Sequence, residues 1–100
     1  GDITCDKSSK VKLVLTEGSS YSGAFDAKGA AAYSKVYLSR NSAWNVTGDS
    51  HIDSLRNGDK KCRNIKSNGH TVYYDKNREA NDWLGGKTLS LPGGGKLQPE

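Results

Sequence analysis

The sequence predicts an all-β domain whose short strands stack as the coils of a β-solenoid. Two segments, residues 13–21 and 36–44, share one pattern and align without a gap. Apolar residues alternate within each segment, which is the period of a half-buried strand rather than of a helix. Glycine or asparagine interrupts each segment where a corner would fall. Because one such unit has little apolar face of its own, stacked units are needed to build a core.

The repeat continues more weakly toward the carboxyl end. Further copies set Ile65 and then Leu91 at the position that Leu15 and Leu38 hold in the first two copies. About four coils therefore fit into the chain, and we expect residues 1–100 to form a single domain because a chain of this length closes one core.

Corners and short helices complete the predicted elements. Gly18, Asn41 and Gly69 are the residues expected to take a positive φ at corners. Residues 26–33 are rich in alanine and predict one or two helical turns. Residues 75–84 precede a Gly-Gly pair and predict a loop or one helical turn that stops there. Both segments would lie outside the coils.

A small β-sandwich is the alternative fold. Turn residues recur often enough along the chain to serve as hairpin turns between six to eight short strands. The solenoid is favoured because the sandwich does not account for the repeated pattern.

One stretch carries a family resemblance. Residues 44–55 read Trp-Asn-Val-Thr-Gly-Asp-Ser-His-Ile-Asp-Ser-Leu, and residues 68–74 read Asn-Gly-His-Thr-Val-Tyr-Tyr. Together they resemble rungs of the right-handed parallel β-helix in autotransporter-type passengers and related bacterial surface adhesins. The resemblance implies that fold and an extracellular setting, and it transfers no ligand. Unlike those passengers, the chain carries two cysteines and is rich in lysine.

Composition points to the same compartment. Only 33% of the residues are hydrophobic, so the core is thin, and the net charge is +4. A disulfide between Cys5 and Cys62 would stabilise such a domain by restricting the unfolded chain, as is common in small secreted proteins. Two buried reduced thiols are the alternative. No run of about eighteen apolar residues is present, so we expect a secreted or cell-surface protein without membrane insertion.

A basic run offers a binding surface. Five cations fall close together in sequence, with one aspartate between them: Arg56, Lys60, Lys61, Arg63 and Lys66. Such a run attracts sulfated glycans or other anionic surfaces. A solvated loop between two rungs would have the same composition. A glycan or a host or cell-surface component is therefore the expected partner, in preference to nucleic acid, and the sequence does not indicate an oligomeric state.

Aromatic residues extend this candidate site. Trp83 lies outside the repeat in a polar segment, which makes it the preferred surface contact among the aromatics. Tyr73 and Tyr74 are adjacent, so one of the two rings must face outward from a strand, and Tyr74 is taken as the second aromatic contact. Flat rings of this kind stack on the apolar faces of sugars.

The clearest local pattern of metal-binding residue types is Asp49-Ser50-His51-Ile52-Asp53. On a strand, Asp49, His51 and Asp53 would share one face. Alternate Cα atoms of a strand lie roughly 7 Å apart, however, so three such side chains seldom converge on one ion. A solvated outer face is the simpler interpretation, and no metal or cofactor is expected.

The sequence predicts a non-catalytic structural or adhesive module. No motif of an activated serine or cysteine nucleophile is present. The alternative is a small basic secreted ribonuclease, in which His51 and His70, with Glu17 or Glu79, would supply the general acid and base. Neither the histidines nor the glutamates lie in a recognisable motif.

Overall fold

Short β-strands are the main regular secondary structure of the described residues. A computed structural model describes residues 10–25 and 33–100, so the helix predicted at 26–33 lies almost wholly outside the described residues. No helix in these two ranges is long and apolar enough to span a membrane. The elements are β1 (Lys10–Leu15), β2 (Ser20–Ser22), β3 (Tyr33–Leu38), β4 (Ala43–Asn45), β5 (Ser50–Ile52), β6 (Ser54–Asn57), β7 (Ile65–Lys66), β8 (Thr71–Tyr74), a 3-10 helix (Glu79–Leu84), β9 (Leu89–Ser90) and β10 (Lys96–Pro99).

The strands form three sheets that the chain visits in turn. The first sheet has the order β1-β3-β6, the second β2-β4-β7, and the third β5-β8-β10-β9. All pairings are parallel except that of β9 with β10. Parallel neighbours cannot be joined by a hairpin, so each strand of a parallel pair lies beside the equivalent strand one coil away. The predicted fold is confirmed as a β-solenoid of about four turns.

The predicted repeat fixes the register of the first two coils. Leu13 pairs with Val36 and Tyr21 pairs with Trp44, as the alignment of the two segments predicts. The second coil is shorter than the first, because a single residue separates β5 from β6: Leu13 and its partner Val36 are 23 residues apart, whereas Val36 and its partner Leu55 are 19 apart. As a result Ile65 pairs with Trp44. The predicted equivalence of Ile65 with Leu38 of β3 is therefore wrong.

The core is built from the inward residue of each rung. Stacked side chains from the three sheets are fully buried, among them Val36, Leu38, Trp44, Leu55, Ile65, Val72 and Leu97. Trp44 also satisfies its polar group, because the indole N–H donates to the carbonyl of Gly23 at 2.9 Å. A few large side chains thus fill a narrow interior, which is how a chain of low hydrophobic content closes a core.

The corners use glycine and asparagine as the sequence predicts, with one exception. Gly18 and Gly69 take φ values of 76° and 81°, a region that residues with a Cβ rarely adopt. Asn41 does not have a positive φ, and its side-chain amide donates to the carboxylate of Glu17 one coil away. Asn68, at φ 51°, donates to the side-chain oxygen of Asn45 at 2.9 Å. Side-chain hydrogen bonds therefore join neighbouring coils at their corners.

The 3-10 helix lies along the free edge of β6. It ends at Gly85, which has the left-handed conformation (φ 62°) predicted for a glycine stop. Within the helix, Asn81 is buried and Trp83 is half-buried against the core. Their side chains hydrogen-bond the backbone of β6 at Leu55. This segment closes one edge of the first sheet.

Candidate functional site

The basic run predicted from the sequence does not form one patch. Arg56 is exposed on β6 and points outward from the first sheet, in register with Tyr37 of β3. Lys66 is exposed on β7 of the second sheet. The other three cations, Lys60, Lys61 and Arg63, occupy the corner between these two strands. The solenoid thus distributes the run over two faces and a corner.

Asp59 organises the corner. Its carboxylate accepts hydrogen bonds from the backbone N–H of Lys61 at 3.0 Å and of Arg63 at 3.2 Å, and the Arg63 guanidinium lies 3.4 Å away. Burial by itself would raise the pKa of Asp59, but these hydrogen bonds and the Arg63 charge outweigh it and lower that pKa. The corner loop is therefore held by an ionised aspartate.

Trp83 joins the corner to the sheet edge. Its indole N–H donates to the carbonyl of Leu55 at 3.0 Å. The ammonium of Lys60 lies over its ring, 4.7 Å from the centroid, a distance at which a cation and an aromatic face attract. The structure thus brings together Trp83 and Lys60, which are far apart in the sequence.

A groove opens beside Trp83. It has a volume of about 220 Å³ and is lined by Lys60, Trp83, Leu84, Gly85, Lys87 and Leu89. The wall at Lys87 is anchored to the core, because the hydroxyl of Tyr74 donates a hydrogen bond to the carbonyl of Lys87 at 2.6 Å. The lining residues include two lysines, one tryptophan and no acidic residue. An arrangement of this kind can hold an anionic group against an aromatic surface.

Only part of this groove could be predicted from the sequence. Trp83 and Lys60 were predicted as contacts, whereas Lys87 and the two leucines were not. The only signal for these residues was their position just before and after the glycine pair that follows Trp83. Their convergence depends on how the segment from 79 to 90 folds back against the corner, which no local pattern encodes.

Tyr74 is buried, so the prediction that it supplies a surface ring is wrong. Its side chain has 0% exposure, and burial raises the pKa of its hydroxyl. The outward member of the pair is Tyr73, which stacks on His51 with ring centroids 4.9 Å apart and planes inclined by 19°. Alternation along β8 selects Tyr73 because the core takes Val72 and Tyr74.

The three residues considered as metal ligands do not converge. The Asp53 carboxylate accepts a hydrogen bond from the backbone N–H of Ser34 at 2.7 Å, and that of Asp49 accepts one from Thr71 at 2.9 Å. The Nε2 of His51 is directed at the carboxylate of Glu100. Within the described residues, no group of three His, Cys, Asp or Glu side chains is placed to hold a metal ion.

The two histidines lie beside different carboxylates. His51 Nε2 is 3.3 Å from a carboxylate oxygen of Glu100, and His70 Nδ1 is 3.7 Å from Asp49. Neither predicted glutamate reaches them: Glu17 bonds Asn41 at a distant corner, and Glu79 begins the 3-10 helix. The shorter of these two histidine–carboxylate contacts, that of His51 with Glu100, could not be predicted from the sequence pattern.

Cys62 is a free, fully buried cysteine. Burial raises the pKa of its thiol to about 11, with a smaller opposing effect from its hydrogen bond to Asn57. Its predicted disulfide partner, Cys5, lies outside the described residues. The structure gives the predicted disulfide no support, and of the two buried thiols that were the alternative it shows that of Cys62.

Comparison with known proteins yields no match, whether the chain is set against family models, curated proteins or solved structures. The resemblance to bacterial surface adhesins therefore rests on the rung sequences alone. The fold is established by the strand register, and the site is interpreted from its own geometry.

Proposed function

We propose that this chain is a non-catalytic binding module of a secreted or cell-surface protein, and that it holds an acidic glycan in the groove beside Trp83. One observation carries the proposal. The groove combines an indole ring with the ammonium groups of Lys60 and Lys87 and has no acidic side chain in its lining. These are the groups that a sugar ring bearing a carboxylate or sulfate would need.

The groove suggests how such a ligand binds. Its volume of about 220 Å³ is below the roughly 300–1,000 Å³ of pockets that bury drug-sized molecules, so it takes one ring of a longer chain. The anionic group pairs with Lys60 and Lys87, which draws Lys60 away from the indole face. The apolar face of the sugar then packs on Trp83. Further sugars lie toward Lys61 and Arg63 on the same corner loop.

The extracellular setting is supported by the rung resemblance to bacterial surface adhesins and by the polar exterior of the coils. In an adhesive module of this type the solenoid is a rigid support, and the side chains that bind the ligand lie at a corner or at an end of the stacked coils. The groove lies at the β6 edge of the first sheet, which the 3-10 helix covers.

Equilibrium titration tests the proposal. Isothermal titration calorimetry with a polyuronate and with chondroitin sulfate should give binding, and neutral dextran should give none. The Lys60→Gln/Lys87→Gln double variant should bind at least about tenfold more weakly, because hydrogen bonds to charged groups contribute about 1.5–3 kcal/mol each. The matched control is Lys76→Gln/Lys96→Gln, which removes the same charge from exposed positions outside the groove. An equal loss in both variants would contradict the proposed site.

The His51–Glu100 pair supports a second candidate function. At a separation of 3.3 Å the Glu100 carboxylate can orient the imidazole of His51, which would act as the general base of a small ribonuclease. Incubation with single-stranded RNA tests it. Cleavage by the wild type that is abolished in both His51→Ala and Glu100→Gln would favour the ribonuclease over the binding module. Absence of cleavage, or cleavage unaffected by either substitution, would exclude this pair.

A further inference from the structure

The outer face of the first sheet is a charged surface. Alternation along β1, β3 and β6 turns one set of side chains inward and the other outward. The register sets the outward residues in three rows, Lys10–Tyr33, Lys12–Lys35–Ser54 and Val14–Tyr37–Arg56, of which Ser54 is buried at the β6 edge. Neighbouring strands lie about 4.8 Å apart, so each row is a compact line of side chains.

This face has one sign of charge. Its three strands contain Lys10, Lys12, Lys35 and Arg56 and no aspartate or glutamate. Among the described residues, none of these four cations forms a salt bridge. The adjacent Asp53 does not compensate for them, because its carboxylate bonds the backbone N–H and hydroxyl of Ser34.

Two features of the face are unfavourable for a strand surface exposed only to water. Lys12 and Lys35 are directly opposite each other, and like charges in that arrangement repel. Val14 and Tyr37 are also paired in register, and they are 44% and 45% exposed. They are the exposed large hydrophobic side chains of the described residues. The repulsion and the exposure are both relieved by a partner that is anionic and apolar.

We propose that this face docks on an anionic lipid membrane surface. Val14 and Tyr37 enter the headgroup region, where tyrosine is a preferred residue, while the surrounding cations pair with lipid phosphates and carboxylates. A membrane fits better than a soluble polyanion, because an aliphatic valine gains nothing from a hydrated chain but partitions into an interface. The proposal concerns a surface distinct from the groove and does not depend on it.

Vesicle sedimentation tests this proposal. The probes are vesicles of phosphatidylcholine with and without phosphatidylserine. Wild-type protein should bind the anionic vesicles in a salt-dependent manner and leave the neutral ones unbound. Lys12→Gln/Lys35→Gln should weaken binding by about tenfold or more, since each cation near an anionic surface contributes roughly fivefold. Val14→Ser/Tyr37→Ser should also weaken it, although the charge is unchanged.

Matched variants separate the possible outcomes. Lys66→Gln/Lys96→Gln removes two exposed cations from the second and third sheets, and it should retain tighter binding than the variant of the first sheet. Lys60→Gln/Lys87→Gln should bind vesicles as Lys66→Gln/Lys96→Gln does, even if glycan binding fails. The proposal is overturned if anionic vesicles are not bound. It is also overturned if Lys66→Gln/Lys96→Gln and Lys60→Gln/Lys87→Gln both weaken binding as much as Lys12→Gln/Lys35→Gln does. It is also overturned if Val14→Ser/Tyr37→Ser has no effect, which would indicate attraction to any polyanion. Circular dichroism verifies the fold of each variant.

Discussion

The side-chain amide of Asn81 makes the hydrogen bonds beside Leu55 that a residue of a further parallel strand would make at the β6 edge. Its oxygen accepts a hydrogen bond from the backbone N–H of Leu55 at 2.8 Å, and its nitrogen donates to the carbonyl of Asp53 at 2.7 Å. A residue of a parallel neighbouring strand would make the same two bonds. The indole of Trp83 then bonds the carbonyl of Leu55 at 3.0 Å. The β6 edge is thus paired at this point by side chains, which limits strand pairing with other chains.

Removing that amide should destabilise the fold. Asn81→Ala deletes bonds to Leu55, Asp53 and Asp75, and it leaves buried backbone groups without partners. Each such group costs about 1–3 kcal/mol, so we expect the free energy of unfolding to fall by about 3 kcal/mol. Urea denaturation followed by circular dichroism measures this change. The control is Asn77→Ala at an exposed turn, and equal midpoints for the two variants would refute the edge-pairing role.

Gly95 is the position of the glycine-rich tail with the least room for a side chain. A Cβ at Gly95 would lie 1.9 Å from the carbonyl oxygen of His70 and 2.6 Å from the Cβ of Ser67. Gly95→Ala must therefore displace the chain that leads into β10, and we expect a loss of about 1–3 kcal/mol or more. At Gly48 a Cβ would meet only the Cβ of Ala24 at 3.4 Å, so Gly48→Ala should be nearly neutral. Thermal unfolding compares the two, and similar melting temperatures would show that the tail does not pack as described.

Asp59 predicts a pH dependence. Because its pKa is lowered in the folded state, it contributes stability above its ordinary pKa of 3.8 and loses that contribution as pH falls through the folded value. Asp59→Asn should therefore reduce the free energy of unfolding at pH 7, by about 1 kcal/mol or less given the exposed guanidinium of Arg63. The difference should shrink as the pH falls below that ordinary value. Urea titrations at several pH values would reveal this trend, and a difference that grows in acid would have the wrong sign.

Cys62 should react slowly in the native state. Its thiol is buried, and its pKa of about 11 keeps the reactive thiolate scarce at neutral pH. In a Cys5→Ser variant, which isolates Cys62, Ellman's reagent should label almost no thiol until denaturant is added. Immediate labelling would contradict the burial. For the wild type, two thiols titrated in denaturant without reductant would establish the free form, and none would establish the disulfide predicted from the sequence.

The register between the first two coils could be predicted because the sequence of the first coil is repeated in the second. Tyr21 and Trp44 occupy equivalent positions in sequence and pair in the structure. The register of the third coil could not, because Asp53 alone makes the corner from β5 to β6, and no glycine or asparagine marks that point. A corner of one residue shifts every later position, including Ile65.

The site was harder to predict than the fold because its contacts join distant parts of the chain. Trp83 was correctly singled out as lying outside the repeat, yet its hydrogen-bond partner, Leu55, is 28 residues away. The basic run looked continuous in sequence, but strand alternation and the corner at 58–64 send Arg56 and Lys66 to different sheets. Charge along the chain therefore indicated a type of partner, and only the coil geometry indicated where each cation lies.

Tryptophan fluorescence measures directly whether an acidic sugar binds against Trp83. Trp44 is fully buried and Trp83 is half-buried in the groove, so only the emission of Trp83 should respond to a ligand there. Titration with an oligouronate should change the emission in a saturable manner for the wild type and for Lys76→Gln/Lys96→Gln. The change should be lost in Lys60→Gln/Lys87→Gln. Binding detected by calorimetry with no change in emission, or an unaltered response in Lys60→Gln/Lys87→Gln, would contradict binding in the groove.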